Sequence, residues 1–147
     1  MSVQARHTVT VAAPADAVMA VVADIARQPE WWPGMLGSEV LEQDADGRVL
    51  RARIVNDVKV VTDTFEVAYH HAEDGLSWEL QGTSRAQRSQ RGAWEVLATA
   101  PHECEVTLEL TIEAILPLPK LVQRRVVTDA VRDAAEGLRR RCEQGAT

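Results

Sequence analysis

CEVTLELTIEA (residues 104–114) alternates without a break. Cys104, Val106, Leu108, Leu110, Ile112 and Ala114 fall on one side of an extended chain, and Glu105, Thr107, Glu109, Thr111 and Glu113 fall on the other. That is the pattern of an antiparallel strand covered on one face and solvated on the other. LPLP (116–119) ends it, and over residues 120–143 the period changes. Val122, Val126, Val127, Ala130, Val131, Ala134, Leu138 and Cys142 recur at helical spacing, with Arg124, Arg125, Arg132, Arg139, Arg140 and Arg141 mostly off that stripe. The last three also suit the negative end of the helix dipole. A sheet with one apolar face needs a cover, and only this helix is long enough to supply it.

The rest of the chain supplies the other strands. Residues 3–12 place His7, Val9 and Val11 on one face and Arg6, Thr8 and Thr10 on the other. Pro14 opens a helical segment near 14–32 striped by Val18, Val21, Val22 and Ile25, and Pro29 and Pro33 break the stretch QPEWWPGM into short turns. Strands are expected at 38–43 and 47–55. Asn56-Asp57 reads as a two-residue hairpin turn, which sets Ile54 opposite Lys59, Ala52 opposite Val61 and Leu50 opposite Asp63. The next strand carries Val61, Phe65, Val67 and Tyr69 on that face. The turn at 72–75 then sets Tyr69 opposite Trp78 and Val67 opposite Leu80. Both turns choose the same inner face. A further strand spans 86–98, with Trp94, Val96 and Ala98 in phase. The fold class expected is α+β, a seven-stranded curved antiparallel sheet around a long C-terminal helix, in one domain over residues 1–147.

Composition narrows the function. The chain has 147 residues, 46% hydrophobic and 26% charged, and at this size roughly 70% of the unfolded surface is buried without help from metal or disulfide. A net charge of −6 argues against broad binding to nucleic acid, which needs Lys and Arg to displace phosphate counterions. Cys104 and Cys142 form no C-x-x-C pair, so neither a disulfide framework nor a zinc site is read, and a reducing cytoplasm is the expected setting. MSVQARHTVTV carries no signal-peptide core, and no apolar run approaches the ~18 residues of a membrane span. No cofactor or metal is expected. A homodimer remains open, as the commonest symmetric assembly.

Few side chains stand out for chemistry. His102-Glu103 reads as a surface turn, and His70 and His71 face opposite ways on a strand. His7 reads as a satisfied inward histidine. Asp63 is in phase with Val61, Phe65 and Val67, and is either a general acid or base, a partner for an arginine, or a residue at an open end of the sheet. Arg88 and Gln90 share the phase of Trp94 and point inward if the strand is unbulged. A bulge around Gly92 turns both outward. Phe65, Tyr69 and Trp78 lie on one face, as core or as pocket wall. Of Trp31 and Trp32, in a Pro-bounded loop, one is expected to plug the domain and the other to gate a pocket mouth.

APADAVMAVVADIARQPEWWPG (13–34), RSQRGAWEV (88–96) and LTIEAILPLPKLVQRRV (110–126) resemble the START/Bet v1-like (SRPBCC) superfamily, within it the bacterial polyketide cyclase/dehydrase and lipid-transport proteins. The resemblance spans nearly the whole chain and rests on element order rather than on a diagnostic motif. It implies a helix-grip fold with a cavity between sheet and helix for a lipid, quinone or polyketide-like molecule. Two functions follow, a binder or carrier and a polyketide cyclase or dehydratase using the same cavity. A third is a partner-binding module acting through the Trp31-Trp32 loop and the basic helix, favoured by a cavity too small for a ligand. The expected pocket gathers Trp32, Asp63, Phe65, Tyr69, Trp78, Arg88, Gln90 and Trp94. Arg88 and Gln90 orient a polar head near Asp63 and Ser84, and the apolar body runs toward the aromatic rings. Asp63 is the catalytic candidate in the enzyme case.

Overall fold

The computed structural model describes residues 2–58 and 61–144. Strand β1 (Val3–Val11) leads into α1 (Ala15–Ala23) and a 3-10 helix (Ile25–Glu30). Six strands follow, β2 (Met35–Gln43), β3 (Val49–Asp57), β4 (Thr62–Ala72), β5 (Gly75–Leu80), β6 (Gln87–Ala100) and β7 (Glu103–Ala114), and then α2 (Lys120–Gln144). They form one antiparallel sheet in the order β1-β7-β6-β5-β4-β3-β2. From β2 to β7 each strand lies beside its predecessor, while β1 pairs on the far side of β7. The segment from α1 to the 3-10 helix therefore connects the two edge strands. The α+β architecture of a curved seven-stranded sheet and a long C-terminal helix is as the sequence predicts.

Local chemistry sets the element ends. Pro14 holds the extended geometry (φ −62°, ψ 145°) of a helix N-cap, and its carbonyl accepts the Val18 amide at 3.1 Å. Val18, Val22 and Ile25 are fully buried. Pro29 interrupts the backbone ladder, and the Gln28 carbonyl takes up both the Trp31 and Trp32 amides (3.1 and 2.9 Å). Every buried residue of α2 lies from Val127 onward: Val127, Val131, Ala134, Ala135, Gly137, Leu138 and Cys142. The small ones let the helix come close. A Cβ at Gly137 would stand 2.1 Å from the Trp31 carbonyl oxygen.

The turn at 72–75 sets Tyr69 opposite Trp78 and Val67 opposite Leu80, as read from the sequence. The turn before β4 differs. Asn56 and Asp57 belong to β3, and the register pairs Ile54 with Phe65, Ala52 with Val67 and Asn56 with Asp63. Lys59 lies outside the described residues, and Val61 precedes β4. The strand continues because it is bonded on both edges there. Met35 pairs with Asn56, and the Asp57 amide donates to the Gly34 carbonyl at 2.8 Å. The displaced register keeps the same parity, so Ile54, Phe65 and Val67 still face the core.

On β7, Val106, Leu108 and Leu110 are buried and Glu105 is exposed, as the alternation requires. Thr107 departs from it, being 8% exposed on the outer face. It sits between Thr8 of β1 and Glu95 of β6, and its hydroxyl bonds that of Thr8 at 2.8 Å.

Candidate functional site

The inward residues of β7 outrun the part of α2 that packs on the sheet. Leu110 and Ile112 stand under the first turns of the helix, residues 120–126, none of which is buried. The space between is a cavity of about 650 Å³ walled by Leu108, Leu110 and Ile112 from the sheet and by Val122, Val126 and Val127 from the helix. Gln123 fixes the start of α2 over it. Its Nε2 donates to the carbonyls of Leu116 (3.1 Å) and Leu118 (2.9 Å) in the proline-bounded approach. The helical stripe read from the sequence thus divides in two. Its C-terminal half is core, and Val122 (42% exposed) and Val126 line the cavity.

A second, small chamber of about 30 Å³ lies under β3, β4 and β5, with Phe65, Val67, Tyr69 and Trp78 among its walls. Trp32, Asn56 and Gln90 line both spaces and so form the partition between them. Trp32 is half-buried, and its ring meets Trp31 (centroids 5.6 Å apart), Trp78 (5.9 Å) and Trp94 (5.5 Å). Trp31 is 7% exposed and belongs to the core. Of the loop tryptophans, Trp31 turns into the domain and Trp32 lies on the wall shared by the two spaces.

A directed hydrogen-bond chain runs along this partition. Trp78 Nε1 donates to Gln90 Oε1 at 2.7 Å, Gln90 Nε2 donates to Gln87 Oε1, and Gln87 Nε2 donates to Asp63 Oδ2 at 3.0 Å. Asp63 also accepts from Ser84 Oγ (2.7 Å) and the Ala86 amide (3.2 Å). The pairing of Asp63 with Ser84 follows the sequence arithmetic, but the role differs. Asp63 is fully buried and lines neither space. Its carboxyl group ties the turn before β6 to β4, as a buried polar group must be satisfied by its surroundings.

Arg88 is a correction. It is exposed and lines neither space. Gln87 pairs with Ala114 but Ser89 pairs with Glu113, a bulge just before Gln90. The extra residue puts Gln87 on the inner face in place of Arg88 and leaves Gln90 inward. The bulge lies ahead of Gly92, where an added Cβ would meet the Trp78 ring at 2.1 Å. Gln87 escapes a reading by strict alternation because only the bulge reveals it. Trp94 is buried at 1% exposure and lines neither space, its ring being taken up by edge contacts with Trp31 and Trp32. Phe65, Tyr69 and Trp78 line the small chamber, and Gln90 and Trp32 line both.

Several other titratable groups lie away from both spaces. His7 Nε2 approaches Glu136 Oε1 of α2 at 3.8 Å. His71 Nε2 meets the Val49 carbonyl at 2.6 Å. Cys104 and Cys142 are free and buried, and burial pushes the Cys142 thiol up to about 11. The charged residues that line the large cavity, Asp57, Arg125, Asp129 and Asp133, are exposed or half-exposed. The polar groups at the partition are carboxamides, those of Asn56 and Gln90, with Gln87 beside them.

Comparison with known proteins agrees with this geometry. Residues 2–143 match the family described as polyketide cyclase / dehydrase and lipid transport. A START superfamily protein from Mycobacterium smegmatis superposes with a TM-score of 0.88 at 25% identity, covering 96% of this chain and 97% of that one. The Zhui aromatase/cyclase from Streptomyces sp. R1128 superposes with a TM-score of 0.83 at 20% identity, covering 100% and 97%. The ribosome association toxin RatA of Pseudomonas aeruginosa is 25% identical over 144 residues, 98% of each chain.

Proposed function

The chain belongs to the polyketide cyclase/dehydrase and lipid-transport family, and from that premise we propose that it binds a small hydrophobic molecule between the sheet and α2 and carries it unchanged. Its family and its structural neighbours suggest hydrophobic ligand binding or polyketide cyclase activity. The observation that favours carriage is the chemistry of the partition. Asn56, Gln87 and Gln90 present carboxamides, which orient a carbonyl or hydroxyl but neither give up nor take a proton near neutral pH. A cyclase or dehydratase needs an acid and a base at hydrogen-bond reach of the reacting carbon skeleton. Asp63, the carboxyl group nearest in sequence phase, is bonded to Ser84, Ala86 and Gln87 and lines neither space. The large cavity, at about 650 Å³, is in the ~300–1,000 Å³ range of small-molecule sites. That volume supports ligand binding over a pure partner-binding module.

Native mass spectrometry of protein purified from its host, followed by lipid extraction, tests the proposal. A retained lipid, quinone or polyketide-like molecule, released with its mass unchanged, is the expected result. Protein that is empty and takes up no apolar probe would sink the proposal. A cyclised or dehydrated product formed from a linear polyketide mimic would replace carriage with catalysis.

A further inference from the structure

Ile115, Leu121 and Val122 are exposed together where β7 gives way to α2, Leu121 by 77%. Single exposed apolar residues are ordinary, but a group of them marks a contact surface. The group is held in place. The Ile115 amide donates to the Ala86 carbonyl at 2.8 Å, and Gln123 binds the carbonyls of Leu116 and Leu118. Leu116, Leu121 and Val122 also line the large cavity. The exposed group is therefore the outer lip of that cavity.

Cations stand around the lip. Lys120, Arg124 and Arg125 belong to the first turns of α2, and Arg85 precedes the Ala86 that holds Ile115. All four are exposed, and none makes an ion pair among the described residues. Other arginines behave differently, for Arg48, Arg51, Arg53 and Arg132 are each held by a carboxylate. No acidic residue stands in the first turn of α2, and Lys120 there meets the positive end of the helix dipole, which favours anions. Folding gains nothing from these cations, whereas an anionic surface would. Asp129 and Asp133, further along the cavity wall, are taken up by Arg132. The chain carries −6 overall, but charges beyond about 8 Å are largely screened at physiological salt. The local group decides the contact.

We propose that this lip docks on an anionic phospholipid bilayer, with the mouth of the large cavity turned to the membrane. Leucine and isoleucine protruding among lysine and arginine suit the bilayer interface, the apolar side chains among acyl chains and the cations at phosphates. The same side chains line the cavity, so an apolar molecule can pass between cavity and acyl chains without crossing water. An acidic protein would answer the cations but would not offer that apolar medium. The choice of a bilayer rests in part on the carrier function proposed above, and the test keeps the two apart.

The test is co-sedimentation of the full chain with sucrose-loaded vesicles, made from equal parts of phosphatidylglycerol and phosphatidylcholine or from phosphatidylcholine alone. Wild type should sediment with the anionic vesicles and stay in solution with the neutral ones, and added salt should release it. Arg124→Gln should weaken the partition about fivefold, the worth of one cation at a charged membrane. Ile115→Ser should weaken it as well. Arg140→Gln removes the same charge from an exposed site about 24 Å further along α2 and should leave the partition unchanged. Arg124 and Ile115 do not line the cavity, so both variants should bind 1-anilinonaphthalene-8-sulfonate as wild type does in vesicle-free buffer. Because Arg124 is a surface residue, Arg124→Gln keeps the test decisive if Ile115→Ser does not fold. Equal losses from Arg124→Gln and Arg140→Gln overturn the docking. So does wild type left in solution with the anionic vesicles, and if it is then a dimer that Ile115→Ser splits, the lip belongs to a second copy. Vesicle binding with no uptake of the dye keeps the docking and sinks the carrier.

Discussion

Asp63 holds three donors on one carboxyl group, from Ser84, Ala86 and Gln87. Replacing it with asparagine keeps the size but turns one acceptor oxygen into an NH2 group facing donors. Asp63→Asn should therefore destabilise the fold by about 1–3 kcal/mol, the cost of buried polar groups left unpaired. It should leave apolar-probe binding nearly intact. Urea denaturation beside a dye-binding titration reads both, and lost binding at unchanged stability would return Asp63 to the site. Trp78 is a second case. It is 6% exposed and bonded through Nε1 to Gln90. Trp78→Ala should cost about 3–5 kcal/mol by the same denaturation, as large-to-small core changes do. Wild-type stability would show that the indole adds no core energy. At the thiols, burial raises Cys142 to about 11 and holds Cys104 above its usual value as well. At pH 8 both should stay protonated and react with an aromatic disulfide reagent only as fast as the chain opens. A fast burst from native protein would contradict this.

Among the elements, β6 carries the clearest contrast between pattern and structure. Strict alternation from Trp94 backward puts Arg88 inside, and the bulge between Gln87 and Ser89 puts it outside. Bulges insert one residue with no fixed sequence signal when no glycine marks them, so Gln87 is not legible in the sequence while Gln90 is. Arg88→Ala should accordingly change stability by no more than about 0.5 kcal/mol, as exposed substitutions do, and leave probe binding unaltered. A binding loss would place Arg88 back on the ligand. The hairpin between β3 and β4 shows the opposite outcome. Its turn lies beyond Asn56-Asp57, yet the register differs from the expected one by an even step and the inner face is the one expected. Face is fixed by hydrophobic parity, whereas turn position depends on competing backbone bonds such as that from the Asp57 amide to the Gly34 carbonyl. On α2, Gly137 lies against the Trp31 carbonyl. Helix propensity alone forecasts a gain of about 1 kcal/mol for Gly137→Ala. The backbone clash should outweigh it and give a net loss of about 1–2 kcal/mol, read by thermal unfolding.

At the scale of the whole molecule, the architecture is legible because one strand and one helix carry it. The alternation of 104–114 demands a cover, and the stripe of 120–143 supplies one. The cavity is not legible, because an apolar side chain reads the same whether it packs or lines a void. Val122 and Val131 share one stripe, and only the structure separates the exposed residue from the buried one. The partition is half legible. Trp32 and Gln90 belong to the expected pocket, while Asn56 carries the sequence signal of a turn and Gln87 is hidden by the bulge.

The uneven hold on α2 has a kinetic side. Its first turns, residues 120–126, contribute no buried side chain, and its second half contributes Val131, Ala134, Ala135, Leu138 and Cys142. Local opening costs least where the fewest apolar contacts must break. Amide hydrogens near the start of the helix should thus trade for deuterium well before those from Val131 onward. A helix that opens in that order would act as a flap hinged near Val127, and a ligand carried as proposed would pass by the fraying of one end of a single helix, with the sheet and the tryptophan cluster still closed.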